Sequence, residues 1–269
     1  MLTRRRVLFV LSSLAGASLL ILWLITPPQP TLTYSVPVTI GDQPRPITIE
    51  AFLPATTKQQ VRHPAIILLH GIEGPQRARS QRYRTADGLR DAGYAVFIVH
   101  YFNSVDYKDL YHLLPDNTLD HARIQRHMNA DSAKWIAATA GAIQKIAERD
   151  DVDPDRMALN GYSLGGFIAI SATQASISDP AIPDVKCLVV NWGAMFHNAQ
   201  FSRGYPPTLF VHGEKDEVVE LKFAQQTIAA LRQVETDTCL CVVPGAGHLA
   251  SSAESQRLTR KLLAKHLAP

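Results

Sequence analysis

Arg156-Met157-Ala158-Leu159-Asn160 runs directly into Gly161-Tyr162-Ser163-Leu164-Gly165-Gly166, and a helical pattern opens there. A G-x-S-x-G pentapeptide on its own occurs by chance. Between a strand and a helix it marks a sharp turn that lifts a serine hydroxyl clear of a sheet. Glycines are expected on both sides, because such a turn is too tight for side chains at the flanking positions. The serine then lies at the positive end of the following helix. Ser163 is therefore the candidate nucleophile; the competing reading is a glycine-rich turn with an idle serine.

Outward from this turn the chain alternates two kinds of segment. Short apolar runs rich in Val, Ile and Leu lie at 65–69, 95–99, 157–159, 185–190, 208–211 and 239–243. Unbroken apolar character over such lengths suits strands covered on both faces. Helix-length stretches stand between and after them, at 79–92, 130–149, 164–175, 221–234 and 251–266. The alternation predicts an α/β fold, a mostly parallel, doubly wound sheet of about eight strands with helices on both faces. Two β-like pieces, 33–40 and 46–53, precede it and are joined by a turn at Gly41-Asp42. Residues 100–128 are aromatic and histidine-rich and fit the rhythm poorly, so they are expected to form a lid or cap over one sheet end. No internal repeat interrupts residues 31–269, which read as one domain behind an N-terminal segment, 1–30.

A serine hydroxyl needs a base to attack a carbonyl at neutral pH, and the base needs an orienting acid. In a doubly wound sheet both come from loops at the carboxyl ends of later strands. The run at 208–211 is followed by His212-Gly213-Glu214-Lys215-Asp216-Glu217, and the run at 239–243 by Pro244-Gly245-Ala246-Gly247-His248. The order serine, acid, histidine suits this architecture. Asp216 competes with Glu214 and Glu217 for the acid; its place three residues beyond Gly213 favours it. His248 is the histidine on a glycine-rich loop after the last strand. Acyl transfer also requires two hydrogen-bond donors for the oxyanion. These are expected to be the backbone N–H of Leu164, just after the nucleophile, and that of Ile72 in the loop His70-Gly71-Ile72-Glu73-Gly74. His70 reads as a loop-bracing residue rather than a second base.

Charge separates the first thirty residues from the body of the chain. The formal net charge is +3, from 27 Lys and Arg against 24 Asp and Glu, and Arg4, Arg5 and Arg6 are the charged residues of the first thirty. Without them the body is neutral and lacks the clustered positive charge that nucleic-acid binding needs. Residues 7–25 then run without a charge, long enough as a helix to cross a hydrocarbon core. An uncleaved signal anchor is expected, with the arginines in the cytoplasm and the domain on the extracytoplasmic, periplasmic side. Cleavage at Ala15-Gly16-Ala17 and secretion is the alternative, and Thr3-Arg4-Arg5-Arg6 leaves twin-arginine export open beside an ordinary basic flank. Cys187, Cys239 and Cys241 all lie in strand-like runs and read as buried thiols. No pair of Cys or His has zinc spacing, so neither a metal nor another cofactor is expected.

The elbow at 161–166, the stretch 89–94 leading into the strand at Ala95, Asn191-Trp192-Gly193 and the loops of Asp216 and His248 together carry a resemblance. Over most of residues 40–267 the chain is similar to the α/β-hydrolase superfamily and, within it, to the dienelactone hydrolase family. The namesake enzymes of that family carry a cysteine nucleophile where Ser163 stands. The resemblance with this departure implies a serine hydrolase acting on a small carboxylic ester or lactone, with Asp216 and His248 completing the machinery. Arginines bind acidic substrates in dienelactone hydrolases, so Arg77, Arg79, Arg82 and Arg84 are candidate contacts, against a solvated helix face. Tyr101, Phe102, Trp192 and Phe196 follow strand ends and are candidate pocket walls, against simple packing. Two rival functions share the elbow: a serine peptidase of the prolyl-oligopeptidase type, weakened by the lack of a propeller-sized domain, and a catalytically silent binding module.

Overall fold

A computed structural model describes residues 27–55, 61–102, 120–197 and 199–268. Its strands are β1 (Leu32–Ile40), β2 (Gln43–Phe52), β3 (His63–Leu69), β4 (Ala95–Val99), β5 (Val152–Tyr162), β6 (Val185–Asn191), β7 (Thr208–Gly213) and β8 (Thr238–Val243). The helices among the described residues are α1 (Arg79–Asp91), α2 (His121–Ala147), α3 (Leu164–Ser178), α4 (Leu221–Gln233) and α5 (Ala253–Leu267). All eight strands form one sheet in the order β1-β2-β4-β3-β5-β6-β7-β8. β2 pairs antiparallel with both β1 and β4, and every other pairing is parallel, so β2 alone runs against the sheet. This is the mostly parallel, doubly wound sheet that the alternating pattern predicts, and it is the α/β-hydrolase fold that the family resemblance implies.

Why the apolar runs are unbroken follows from the two layers of helix. Ile67, Leu69, Phe97, Val99 and Leu159 point to one face, where they pack with Ile143 of α2, Ile168 of α3 and Ile228 of α4. Their neighbours Ile66, Leu68, Val96, Ile98 and Ala158 point to the other, against Tyr83 of α1 and Leu263 of α5. Burial on both sides removes the polar half of the usual strand alternation.

The path of the chain fixes where a ligand binds. From β3 it moves outward to β4, then returns across and lands as β5 on the other side of β3. Such a reversal of winding opens a crevice at the carboxyl ends of the two central strands. Leu69 at the end of β3 pairs with Gly161 at the end of β5, so the loop at 70–74 and the turn at Ser163 meet there.

Five expectations are corrected or bounded. α2 begins at His121 rather than at 130, because Asp120 caps it: its Oδ1 accepts the Arg123 N–H at 2.9 Å. Residues 103–119, the rest of the expected lid, lie outside the described residues. β5 begins at Val152 rather than at 157; Pro64 faces Asp153 and Ala65 faces Met157, so the polar residues between loop out of the ladder and disguise its start. Cys239 is exposed, whereas Cys187 and Cys241 are buried; Cys239 lies near the start of β8, the edge strand, which has a strand neighbour on one side only. Residues 7–25 lie outside the described residues, and among the described residues no helix is long and apolar enough to cross a membrane.

Candidate active site

Ser163 stands between the last residue of β5 and the first of α3, with φ 52° and ψ −120°. A non-glycine residue is strained at that φ, and such strain persists only where the surroundings over-determine it. The surroundings are backbone. A Cβ on Gly161 would run into the Gly165 carbonyl, and a Cβ on Gly165 into the carbonyls of Leu69 and His70. The glycines thus let the elbow press against the end of β3, and the Ser163 N–H is tied to the Asn191 carbonyl at 2.8 Å.

The structure brings Ser163, His248 and Asp216 together from three loops. His248 Nε2 lies 3.0 Å from Ser163 Oγ, and its Nδ1 lies 2.8 Å from Asp216 Oδ2. Glu214 is committed elsewhere, accepting the Gly245 N–H at 2.7 Å, which separates it from Asp216 as the acid. Burial alone would raise the Asp216 carboxyl. Hydrogen bonds from His212, His248 and the Val219 N–H outweigh it and hold the group well below the usual carboxylate range. An ionised Asp216 keeps the proton of His248 on Nδ1, leaving Nε2 free to accept from the serine.

His212 is a site residue that sequence reasoning passed over. Fully buried at the end of β7, it donates Nε2–H to the Val219 carbonyl at 2.6 Å and lies 3.3 Å from Asp216 Oδ2. The signal available was its spacing of four residues from Asp216.

The loop after β3 is braced from beneath. Tyr101 donates to the His70 carbonyl at 2.7 Å and stacks on the His70 ring. Burial, and then the Arg82 charge, hold His70 well below the usual histidine range, so it is neutral and donates Nδ1–H to the Gly71 carbonyl. Arg82 bonds Glu73 at 2.8 Å and reaches the carbonyls of Gly74, Pro75 and Arg77. Glu73 in turn accepts the Gly71 N–H at 3.2 Å. Ile72, at the crest of this loop, borders the same cavities as Ser163. The Leu164 N–H is the first of α3 and has no carbonyl one turn behind it within the helix.

Two cavities meet at Ser163, of about 610 and 540 Å³. Phe196 lines the first and Trp192 the second. Trp192 also donates Nε1–H to the Ala250 carbonyl at 2.6 Å, holding the His248 loop. Four expected contacts are otherwise employed. Tyr101 and Phe102 are buried against Trp135 and border a separate cavity between β2 and α2. Arg79 turns away to the buried Glu50, 2.8 Å distant, and to Tyr83. Arg82 borders the second cavity, but its guanidinium is occupied by the loop carbonyls and Glu73. Arg84 is exposed on α1. Unforeseen walls come from Ile124 and Met128 of α2, Phe223 of α4, and Val218 and Leu249.

The sequence pattern of the dienelactone hydrolase family matches residues 49–261. The chain belongs to that family. Membership extends the hydrolase assignment over nearly the whole described domain, from β2 to α5. A protein of Bacillus subtilis (strain 168) named uncharacterized peptidase YuxL is 24% identical over 244 residues, covering 78% of this chain. The match takes in only 34% of that protein, so the chain spans about a third of its length. Among solved structures, the dienelactone hydrolase-like promiscuous phosphotriesterase from metagenomic libraries superposes with a TM-score of 0.65 at 16% identity, covering 87% of this chain and 98% of that one. Thermogutta terrifontis esterase 2 phosphonylated by cyclosarin does so at 0.63 and 16%, covering 90% and 98%. At these identities the two structures attest the fold alone.

Proposed function

We propose that this hydrolase cleaves a small carboxylic ester or lactone through an acyl-enzyme on Ser163. The observation that carries the reading is the continuous line from Ser163 Oγ to His248 Nε2 and from His248 Nδ1 to Asp216. In the first step His248 Nε2 takes the hydroxyl proton as Oγ bonds to the carbonyl carbon. The Ile72 and Leu164 N–H groups receive the oxyanion, a role in which one donor contributes about 2.7–4 kcal/mol. The tetrahedral intermediate collapses as the carbon–alkoxide bond breaks and His248 returns the proton to the leaving oxygen. Water then repeats the sequence and releases the acid.

The name of the Bacillus relative favours a second reading, a peptidase. Amide cleavage would use the same groups, and a substrate panel separates the two. Purified protein should be labelled by a fluorophosphonate at Ser163 and should turn over p-nitrophenyl esters but not peptide amides. Amide cleavage at comparable kcat/KM would favour the peptidase, and absence of both labelling and turnover would favour the silent binding module.

The sequence of residues 1–30 supports a place for the domain outside the cytoplasm, tethered by residues 7–25. Membrane fractionation of the full chain, with protease accessibility from the periplasmic side, tests that placement. Recovery in the soluble cytoplasmic fraction would refute it.

A further inference from the structure

Ser163 and Ile72 border both cavities, with Val218 on the rim between them, whereas His248 borders only the second. That asymmetry orients a substrate. Collapse of the tetrahedral intermediate requires a proton on the departing oxygen, and His248 Nε2, 3.0 Å from Oγ, is its source. The leaving alcohol must therefore lie on the His248 side. The acyl group stays bonded to Oγ and must extend the other way.

We infer that the substrate is an open-chain ester whose apolar acyl chain fills the cavity of Met128, Phe167 and Phe196, while its alcohol fills the cavity of Trp192 and Leu249. The inference rests on the acyl-enzyme reading above and narrows it to one substrate shape. A small lactone carries its acyl carbon and leaving oxygen in one ring and cannot occupy both spaces.

The linings support this division. Among the described residues, no Asp, Glu, Lys or Arg borders the acyl-side cavity. Its apolar walls include Met128 of α2, Phe167 of α3, which packs 5.4 Å from Phe196, and Phe223 of α4, with the neutral polar side chains of Gln125, Asn129 and Gln226 and the ring of His197 at its border. Burying each further methylene there favours binding by roughly fourfold. The alcohol side is mixed, with Gln81, Thr85 and the paired Glu73 and Arg82 beside the Trp192 ring. Leu249 stands at its mouth, 68% exposed and at φ 68°. Nothing in local backbone preference calls for leucine at a left-handed position where glycine sits without strain. Its side chain borders the alcohol side all the same.

The test uses p-nitrophenyl esters from acetate to decanoate, a second series varying the alcohol at constant acyl group, and γ-butyrolactone. Fluorophosphonate titration of Ser163 in every variant establishes that the site is formed. In the wild type, kcat/KM should rise with chain length and exceed that for the lactone. Met128→Trp should lower the decanoate-to-acetate ratio by about tenfold or more. Phe196→Ala, an independent change in the same cavity, should move the optimum to longer chains. Leu249→Gly should alter the ranking of alcohols and leave the decanoate-to-acetate ratio intact. A chain-length ratio that follows Leu249→Gly and ignores both Met128→Trp and Phe196→Ala would overturn the assignment, as would preference for the lactone. If the wild type is not labelled at Ser163, the acyl-enzyme reading fails first and this inference with it.

Discussion

Asp216 offers one carboxylate oxygen to His248 Nδ1 at 2.8 Å and the other to the N–H groups of Val218 and Val219, both at 2.9 Å. The loop that follows β7 therefore fixes the carboxylate before the histidine meets it. Asp216→Asn retains an oxygen for the two N–H groups but turns an amide NH2 toward Nδ1. The imidazole must then carry its proton on Nε2, where it cannot accept from the serine. Steady-state kinetics should show kcat reduced by about 10⁴-fold. A loss under tenfold would mean that Asp216 does not orient the base.

The same contacts tie stability to pH. The folded-state pKa of Asp216 is depressed, so its contribution to stability is fully present above the unfolded value of about 3.9 and is lost as pH falls toward the folded one. Denaturant melts of wild type and Asp216→Asn should differ most near neutrality and converge below about pH 4. A constant difference across that range would contradict the linkage.

His212 lies behind this pair, and its Nε2–H bonds the Val219 carbonyl. His212→Leu leaves that carbonyl without its donor and deprives Asp216 of a partner. A loss of about 1–3 kcal/mol is expected, measured by urea melts. kcat should fall while KM is held, because neither His212 nor Asp216 borders either cavity. A variant with raised KM and unchanged kcat would place His212 in binding instead.

Arg82 and Arg79 stand on one helix and should behave differently. Arg82 is 7% exposed and spans Glu73 and three loop carbonyls, so Arg82→Met leaves a part-buried carboxylate and several acceptors unpaired. Breaking such a buried pair costs about 3–5 kcal/mol, and Tm should drop by about 10 °C. Arg79 is 42% exposed, and its partner Glu50 keeps its bond from Tyr83, so Arg79→Ala should cost about 1 kcal/mol or less. Calorimetry of the two variants decides; equal losses would show that Arg82 does not brace the loop.

This contrast also shows what the sequence makes legible. Gly161 and Gly165 are read directly, because a steric requirement of the elbow permits little else at those positions. The helix-covered strands are read from unbroken apolar runs, since burial on both faces leaves no room for polar residues. Arg82 is not readable in this way. Its partners are carbonyls of residues 74, 75 and 77, brought under it only once the loop folds. The start of α2 was hidden for a related reason. Ile124 and Met128 border the cavity at Ser163, and of the two only Met128 also packs against the core, so the first turns lack a full apolar stripe, and Asp120 as the cap is the signal left to find. His212 reads as part of a loop because the polar residues Glu214 and Asp216 follow it closely, although β7 runs through it to Gly213.

The most direct test of the account is intact-protein mass spectrometry after rapid quenching with a p-nitrophenyl ester, on the wild type and on Ser163→Ala. The wild type should carry one acyl adduct, located on the peptide containing Ser163, and Ser163→Ala should carry none and lose ester turnover while keeping its melting profile. Full turnover in Ser163→Ala, or an adduct on another residue, would contradict it.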